Sequence, residues 1–238
     1  MKKSILLTTL LFCISFSYAG NKKIKGNGKM TTITRSTSDY DGVKCAGSFD
    51  YILVAGTEGK ITIEGEENLL QYVITEVKDN TLIIKTERHI NLKPSNNKTI
   101  KVTIPFKDIS SVSLAGSGDL WNEDVITATN LEVALAGSGD VVLTIEASNT
   151  EGKVAGSGDL TLKGNTNKLE AKVAGSGDFH GFNLQSNHTT VSVAGSGDAK
   201  VVSNESLKAR VSGSGDIEYR GNPKTEDSKV AGSGSISN

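Results

Sequence analysis

Six aspartates stand at near-regular steps in the second half of the chain: Asp119, Asp140, Asp159, Asp178, Asp198 and Asp216, spaced by 21, 19, 19, 20 and 18 residues. A carboxylate can serve as a general acid or base, or as a ligand for a hard cation. Acid–base catalysis needs a singular cluster: two or three carboxylates, or a carboxylate with Arg or Lys, at one spot in a cleft. Here the same residue recurs in the same local phrase, which is how a scaffold is written. Ca²⁺ bridging is the other chemical option, but Ca²⁺ takes about 6–8 oxygens and one carboxylate per repeat supplies too few. Stacked in register, the carboxylates would repel one another. The local remedy is hydrogen bonding from turn N–H groups or from the serine row Ser117, Ser138, Ser157, Ser176, Ser196 and Ser214, with water screening the rest. No metal and no cofactor is expected.

The remaining chemical candidates are sparse. Histidines occur only at 89, 180 and 188, with no Ser/His/Asp ordering around them. The Gly-Ser-Gly-Asp phrase lacks the strict nine-residue period of calcium-binding nonapeptides. It is no dinucleotide fingerprint either, since no helix follows to receive a pyrophosphate. Cys45 stands alone without metal-ligand spacing and reads as a buried thiol. No catalytic residue is assigned.

The phrase itself names the elements that must position these residues. VAGSGDL at Val154–Leu160 recurs as LAGSGDL at 114–120, LAGSGDV at 135–141, VAGSGDF at 173–179, VAGSGDA at 193–199, VSGSGDI at 211–217 and VAGSGSI at 230–236. A period near twenty is too short for a helix pair or a propeller blade and suits one coil of a parallel β-solenoid. Parity agrees. Leu169, Ala171, Val173, Gly175, Gly177 and Phe179 share one face, with Glu170, Lys172, Ala174, Ser176 and Asp178 on the other. The glycines therefore mark a corner on the inward face: Gly116 and Gly118, Gly137 and Gly139, Gly156 and Gly158, Gly175 and Gly177, Gly195 and Gly197, Gly213 and Gly215, Gly232 and Gly234. Nothing larger is expected to fit there, where two sheets approach and the chain needs positive φ. The opposite bend, such as Lys163–Asn167 or Gln185–His188, reads as irregular and polar. A coil cannot bury its core alone, so stacking must supply the stability.

The first part of the chain reads differently. Residues 1–19 carry a basic start and an apolar run too short to span a bilayer, the pattern of a signal peptide cut at Ala19/Gly20. Residues 20–110 are read as a β-rich cap continuous with the solenoid, and 111–238 as the repeat β-helix. Within the cap, Tyr51–Val54 and Lys60–Glu64 are strand-like and 66–73 suggests a short helix. Ile74–Val77 and Thr81–Lys85 flank Lys78-Asp79-Asn80, a hairpin signal. A worn copy of the phrase sits at Ala46-Gly47-Ser48-Phe49-Asp50. Without Lys2 and Lys3 the formal net charge moves from −1 to −3, with acids and bases interspersed. That balance excludes a nucleic-acid partner, and no later run is apolar enough for a membrane span.

The Gly-Ser-Gly repeats, Lys25-Gly26-Asn27-Gly28 with Arg35, the stretch from Gly42-Val43 to Glu64, and Asn80–Ile84 together resemble the secreted Bacteroidetes family called putative auto-transporter adhesin, head GIN domain. The resemblance implies an all-β fold, a right-handed parallel β-helix like that of pectin lyases. It also implies an exported cell-adhesion role and a trimeric homo-oligomer. A polysaccharide lyase or a passive envelope protein are the competing classes. If the repeated columns are scaffold, specificity lies in columns that vary. The outward position two residues after each aspartate reads Trp121, Val142, Thr161, His180, Lys200 and Glu218. These should form one stripe facing a glycan or a cell-surface protein, with the N-terminal cap covering Trp121. The short last coil leaves an edge strand, from which self-association is expected.

Overall fold

The computed structural model of the protein describes residues 21–96 and 98–238. The expected leader at 1–19 lies outside the described residues. The rest is a parallel β-solenoid. In the corner column Gly47 pairs with Gly116, and the column continues through Gly137, Gly156, Gly175, Gly195, Gly213 and Gly232. Each repeat thus lies one strand from the next with equivalent residues face to face.

The alternation seen in the sequence sets which side chains fill the interior. Leu131, Val133, Leu135, Val141, Leu143 and Ile145 are at most 2% exposed. Burying each such side chain is worth roughly 1.5–3 kcal/mol. The interior face of one coil meets the same column of the next, so burial accumulates along the stack.

The second bend is irregular at 203–205 and at Gly221-Asn222-Pro223-Lys224, as its polar composition suggests, but regular in the middle coils. Leu160–Gly175 runs as one strand straight through Lys163–Asn167. Gly164 turns it with φ of +109°, and its ladder partners Ile145 and Leu184 stay in register. A glycine accepts the positive φ of a bend without giving up hydrogen bonds to its neighbours, so in these coils a polar composition does not imply an irregular backbone. Asparagines stack here instead: Asn187 Nδ2 donates to Asn167 Oδ1 at 3.0 Å, and Asn165 Nδ2 to Glu146 Oε1 at 2.7 Å. The one-residue excess of the coil that starts at Phe179 is absorbed by a bulge. Thr161 faces His180, but Lys163 faces Asn183.

The N-terminal part closes one end of the stack. Gly42–Gly47 and Asp50–Ala55 form a coil that pairs in parallel with Ser111–Gly116 and Leu120–Asn122. Thr81–Thr86 and Lys101–Phe106 form the layer beyond it. Chain order and stack order therefore differ: the chain lays one coil, travels outward to build the end layer, then crosses back to continue the repeats. Antiparallel strands finish the end. Val73–Lys78 pairs with Thr81–Thr86, Lys60–Glu66 with Lys101–Phe106, and Met30–Ser36 with Lys60–Glu66. The hairpin turns at Asp79 and Asn80, with φ of +50° and +57°, the two positive angles that a two-residue type I′ turn demands. The expected helix over 66–73 contracts to Glu67–Leu70, because Val73 already belongs to a strand.

Glu66 locks this cap. It is 1% exposed and accepts from the Gly28 N–H at 2.5 Å and from the Ser95 N–H and hydroxyl at 2.7 and 2.6 Å. Hydrogen bonding from Ser95, ahead of that from Gly28 and the charge of Lys98, holds its carboxyl below the usual range despite burial.

Candidate functional site

The corner is built by contacts along the stack. The first glycine of each phrase has φ between +130° and +142° from Gly116 to Gly232. Its carbonyl points to the next coil and accepts two donors there. Gly156 O, for example, takes the N–H of Ser176 at 2.8 Å and of Gly177 at 3.0 Å. A Cβ on either glycine would fall well inside 3.0 Å of a backbone carbonyl oxygen of the preceding coil, a glycine's in every case but Gly118, which meets Phe49 O. The need for glycine thus comes from the neighbouring coil's backbone, and not from the approach of two facing sheets as the sequence suggested. Phe49 shows the rule from the other side. It occupies the second-glycine position of the worn copy and is 2% exposed. The layer beyond it, Thr81–Thr86 and Lys101–Phe106, has no such corner, so a side chain is admitted.

The aspartates follow the corner and solve their repulsion through the backbone. Asp119 Oδ1 accepts the N–H of Asp140 at 3.2 Å, Asp140 that of Asp159 at 3.1 Å, and Asp159 that of Asp178 at 3.0 Å. Asp178 accepts from Asp198 at 2.7 Å, Asp198 from Asp216 at 2.8 Å, and Asp216 from Ser235 at 2.6 Å. Each charge is thus met by an amide dipole from the next coil. Among the described residues, the serine row expected to help, Ser117 to Ser214, donates no hydroxyl to these carboxylates; Ser235, which replaces the aspartate in the copy at 230–236, donates its hydroxyl to Asp216 Oδ1 at 2.9 Å. One oxygen of each carboxylate is committed to the next coil's amide.

The variable stripe lies in one column. Trp121 pairs with Val142, Val142 with Thr161, Thr161 with His180, His180 with Lys200, and Lys200 with Glu218. On its other side Trp121 pairs with Ile52, which is 3% exposed. The cap strand Asp50–Ala55 flanks Trp121 on one side and leaves the indole partly exposed. The indole is half-buried and lines an open cleft of about 460 Å³ with Asp119, Asp140, Val142, Thr144 and Lys163. The cap strands close the solenoid end, leaving this side of the column to solvent. Asn122 forms part of the cleft wall; its amide is tied to Thr144 N and O at 2.9 and 2.8 Å.

A second concavity, about 580 Å³, runs along another face. Asn130, Asn149, Lys168 and His188 form one side and Glu132, Glu151, Glu170 and Thr190 the other. The glutamate row is neutralised by interleaved lysines: Lys153 lies 2.8 Å from Glu132 and 3.0 Å from Glu151, and Lys172 3.0 Å from Glu151 and 2.6 Å from Glu170. Sequence reasoning missed these rows. The signal was present, because Glu132, Glu151 and Glu170 each stand five residues before the first glycine of their phrase, and Lys153 and Lys172 three before.

A stacked corner that fixes the backbone, with variable side chains along its flank, defines a repeat β-solenoid scaffold. The family model for putative auto-transporter adhesin, head GIN domain, matches residues 39–223, and the chain belongs to that family. Its solved neighbours share the fold. A putative adhesin from Bacteroides fragilis is 25% identical over 90% of this chain and 99% of its own, with a TM-score of 0.81. A putative lipid binding protein from Parabacteroides distasonis is 27% identical over 91% and 99%, with a TM-score of 0.75. A putative adhesin from the same species is 25% identical over 91% and 99%, with a TM-score of 0.72. No curated protein matches the chain. Among the described residues, no helix is long and apolar enough to cross a membrane.

Proposed function

We propose that the protein is an exported, non-catalytic adhesin-like module that binds a glycan at the Trp121 cleft. The observation that carries this reading is the juxtaposition of one half-exposed indole with Asp119, Asp140 and Lys163 around a single open concavity. A sugar ring offers an apolar face for an aromatic ring and hydroxyls for charged partners. Asp119 and Asp140 each spend one oxygen on the ladder and can receive a hydroxyl on the other. Carboxylates that recur in every coil with a shared structural task favour binding over catalysis. The family description supports export and surface location.

The test is a glycan array on residues 20–238, followed by titration of any hit. Saturable binding that Trp121→Ala weakens at least about fivefold, the factor for roughly 1 kcal/mol, supports the reading. Binding unaffected by Trp121→Ala, or none across the array, refutes it. Self-association is part of the same proposal, because the strand Thr225–Gly232 is exposed at every residue and, among the described residues, is paired on one edge only. Light scattering that shows a strict monomer at high concentration would remove it.

A further inference from the structure

The aspartate row and the variable stripe meet once in a way that changes their chemistry. Asp159 and Asp178 are consecutive members of the ladder, and His180 stands two residues after Asp178 in the stripe. One oxygen of each carboxylate and one ring nitrogen of His180 lie within 4.8 Å of one another. His180 Nε2 is 3.7 Å from Asp159 Oδ2. That is too far for a hydrogen bond. In a tetrahedral site with bonds of about 2.0–2.1 Å, two ligand atoms stand about 3.3–3.4 Å apart. The widest pair must close by roughly 1.5 Å to reach that figure, and all three side chains are partly exposed and can rotate.

The ladder prepares the carboxylates for this. Asp159 Oδ1 accepts the Asp178 N–H and Asp178 Oδ1 the Asp198 N–H, so both side chains are oriented by backbone amides. Among the described residues, Oδ2 of either takes no hydrogen bond. At the equivalent stripe positions the other coils carry Trp121, Val142, Thr161, Lys200 and Glu218, none of which brings an imidazole. A histidine is therefore placed at the only aspartate pair where it completes two oxygens and one nitrogen.

We infer that Asp159, Asp178 and His180 form a site for a borderline divalent transition metal of the Zn²⁺ class, with water in the remaining positions. The donor set chooses the metal. Ca²⁺ asks for about 6–8 oxygens and Mg²⁺ for an octahedral, largely hydrated shell, while a mixed imidazole–carboxylate set suits Zn²⁺ and its neighbours. Trp121 lies three strands from His180 in the same column, so the site can be tested without any glycan.

Equilibrium dialysis of the metal-free protein against Zn²⁺ alone, with Co²⁺ absorption as a spectroscopic reporter, gives the measurement. One saturable equivalent is expected, unaffected by excess Ca²⁺ or Mg²⁺. His180→Ala and Asp178→Asn should each weaken it at least about tenfold. Asp216→Asn alters the same ladder outside the triad, keeps its turn acceptor, and should leave the affinity unchanged. Equal weakening by Asp216→Asn would mean diffuse binding to the carboxylate row and would overturn the site. So would wild-type affinity in His180→Ala, or no saturable uptake at all. Circular dichroism confirms that each variant keeps its strands, and Asp159→Asn, which also retains the turn acceptor, provides a second route if another variant fails to fold.

Discussion

Gly177→Ala tests whether the corner is set by the neighbouring coil. Gly177 is buried and takes no positive φ, so backbone strain does not enter and the cost comes from contact alone. The added Cβ would lie well inside 3.0 Å of Gly158 O and 3.0 Å from Gly158 C and N. All three atoms are backbone and belong to a ladder that continues on both sides, so no rotamer change relieves them. Separating the coils locally by about 1 Å would strip contact from adjacent side chains, since a gap of 0.5–1 Å forfeits roughly a quarter to a half of each contact. Overpacking of this kind costs about 1–3 kcal/mol or more. Against it stands a gain of about 0.4–1 kcal/mol from the stiffer unfolded chain. The clash wins, with a net loss of roughly 1–2 kcal/mol, or a Tm lower by about 2–8 °C for a domain this size. Gly152→Ala is the comparison. Its Cβ meets Phe179 Cε2 at 2.7 Å and Leu160 Cδ2 at 3.4 Å, both side-chain atoms that can give way. Differential scanning calorimetry should therefore rank Gly177→Ala clearly below Gly152→Ala. Equal melting temperatures for Gly177→Ala and wild type, with the strand signal retained, would refute the argument.

Three further outcomes follow from the same geometry. Asp140→Asn keeps an oxygen for the Asp159 N–H and removes a like charge from the row, so chemical denaturation should find it neutral or slightly stabilising, whereas Asp140→Ala should lose about 1 kcal/mol with the acceptor. The carboxyl of Glu66 is held low by Ser95 and Gly28; its contribution is present above the unfolded carboxylate range and lost as pH falls through the folded value, so Glu66→Gln should flatten the acid limb of a stability–pH profile. Glu226→Leu should strengthen self-association in light scattering, because Glu226 occupies the inward column position held by Leu207 and Leu169 in other coils and accepts from Tyr219 Oη at 2.9 Å and Ser228 Oγ at 2.6 Å.

How much of this was legible depends on whether the physics was local. The coil period, the inward parity and the corner glycines are written within about twenty residues, and each has a local cause: side chains alternate along a strand, and a left-handed turn wants glycine. The Asp79-Asn80 hairpin was readable for the same reason. What escaped was anything that depends on a partner far away in the chain. Gly47 and Gly116 are adjacent in the stack yet 69 residues apart, so no repeat count could show that the end layer is inserted between them. The cause of the glycine requirement escaped too, because a Cβ pointing along the stack looks the same in sequence as one pointing across it. The column Trp121–Glu218 was found by offset from the phrase. The glutamate and lysine rows obey the same offset logic and would have been found by aligning the coils rather than testing parity within one.

The departures from the phrase show how a repeat sequence separates a constant scaffold from local exceptions. Within the stack, the phrase is constant wherever the next coil's backbone must be received: a glycine carbonyl outward, two N–H groups to meet it, a carboxylate to take the following amide. At two coils the phrase departs from this. At the first coil of the phrase the second glycine becomes Phe49, which stands where the next layer brings no Gly-Ser-Gly corner and packs 6.0 Å from Tyr51. At the last coil the aspartate becomes Ser235, which still donates to Asp216 but offers no carboxylate onward, and the inward leucine becomes Glu226. An inward-pointing charge on an edge strand is costly to bury and so opposes docking of another apolar layer. The departures from the repeat are thus local exceptions, while the uniform part carries only the scaffold. The same division separates structure from recognition along the flank: Asp159 and Asp178 are constant, and it is the variable His180 beside them that gives that one coil a chemistry the others lack.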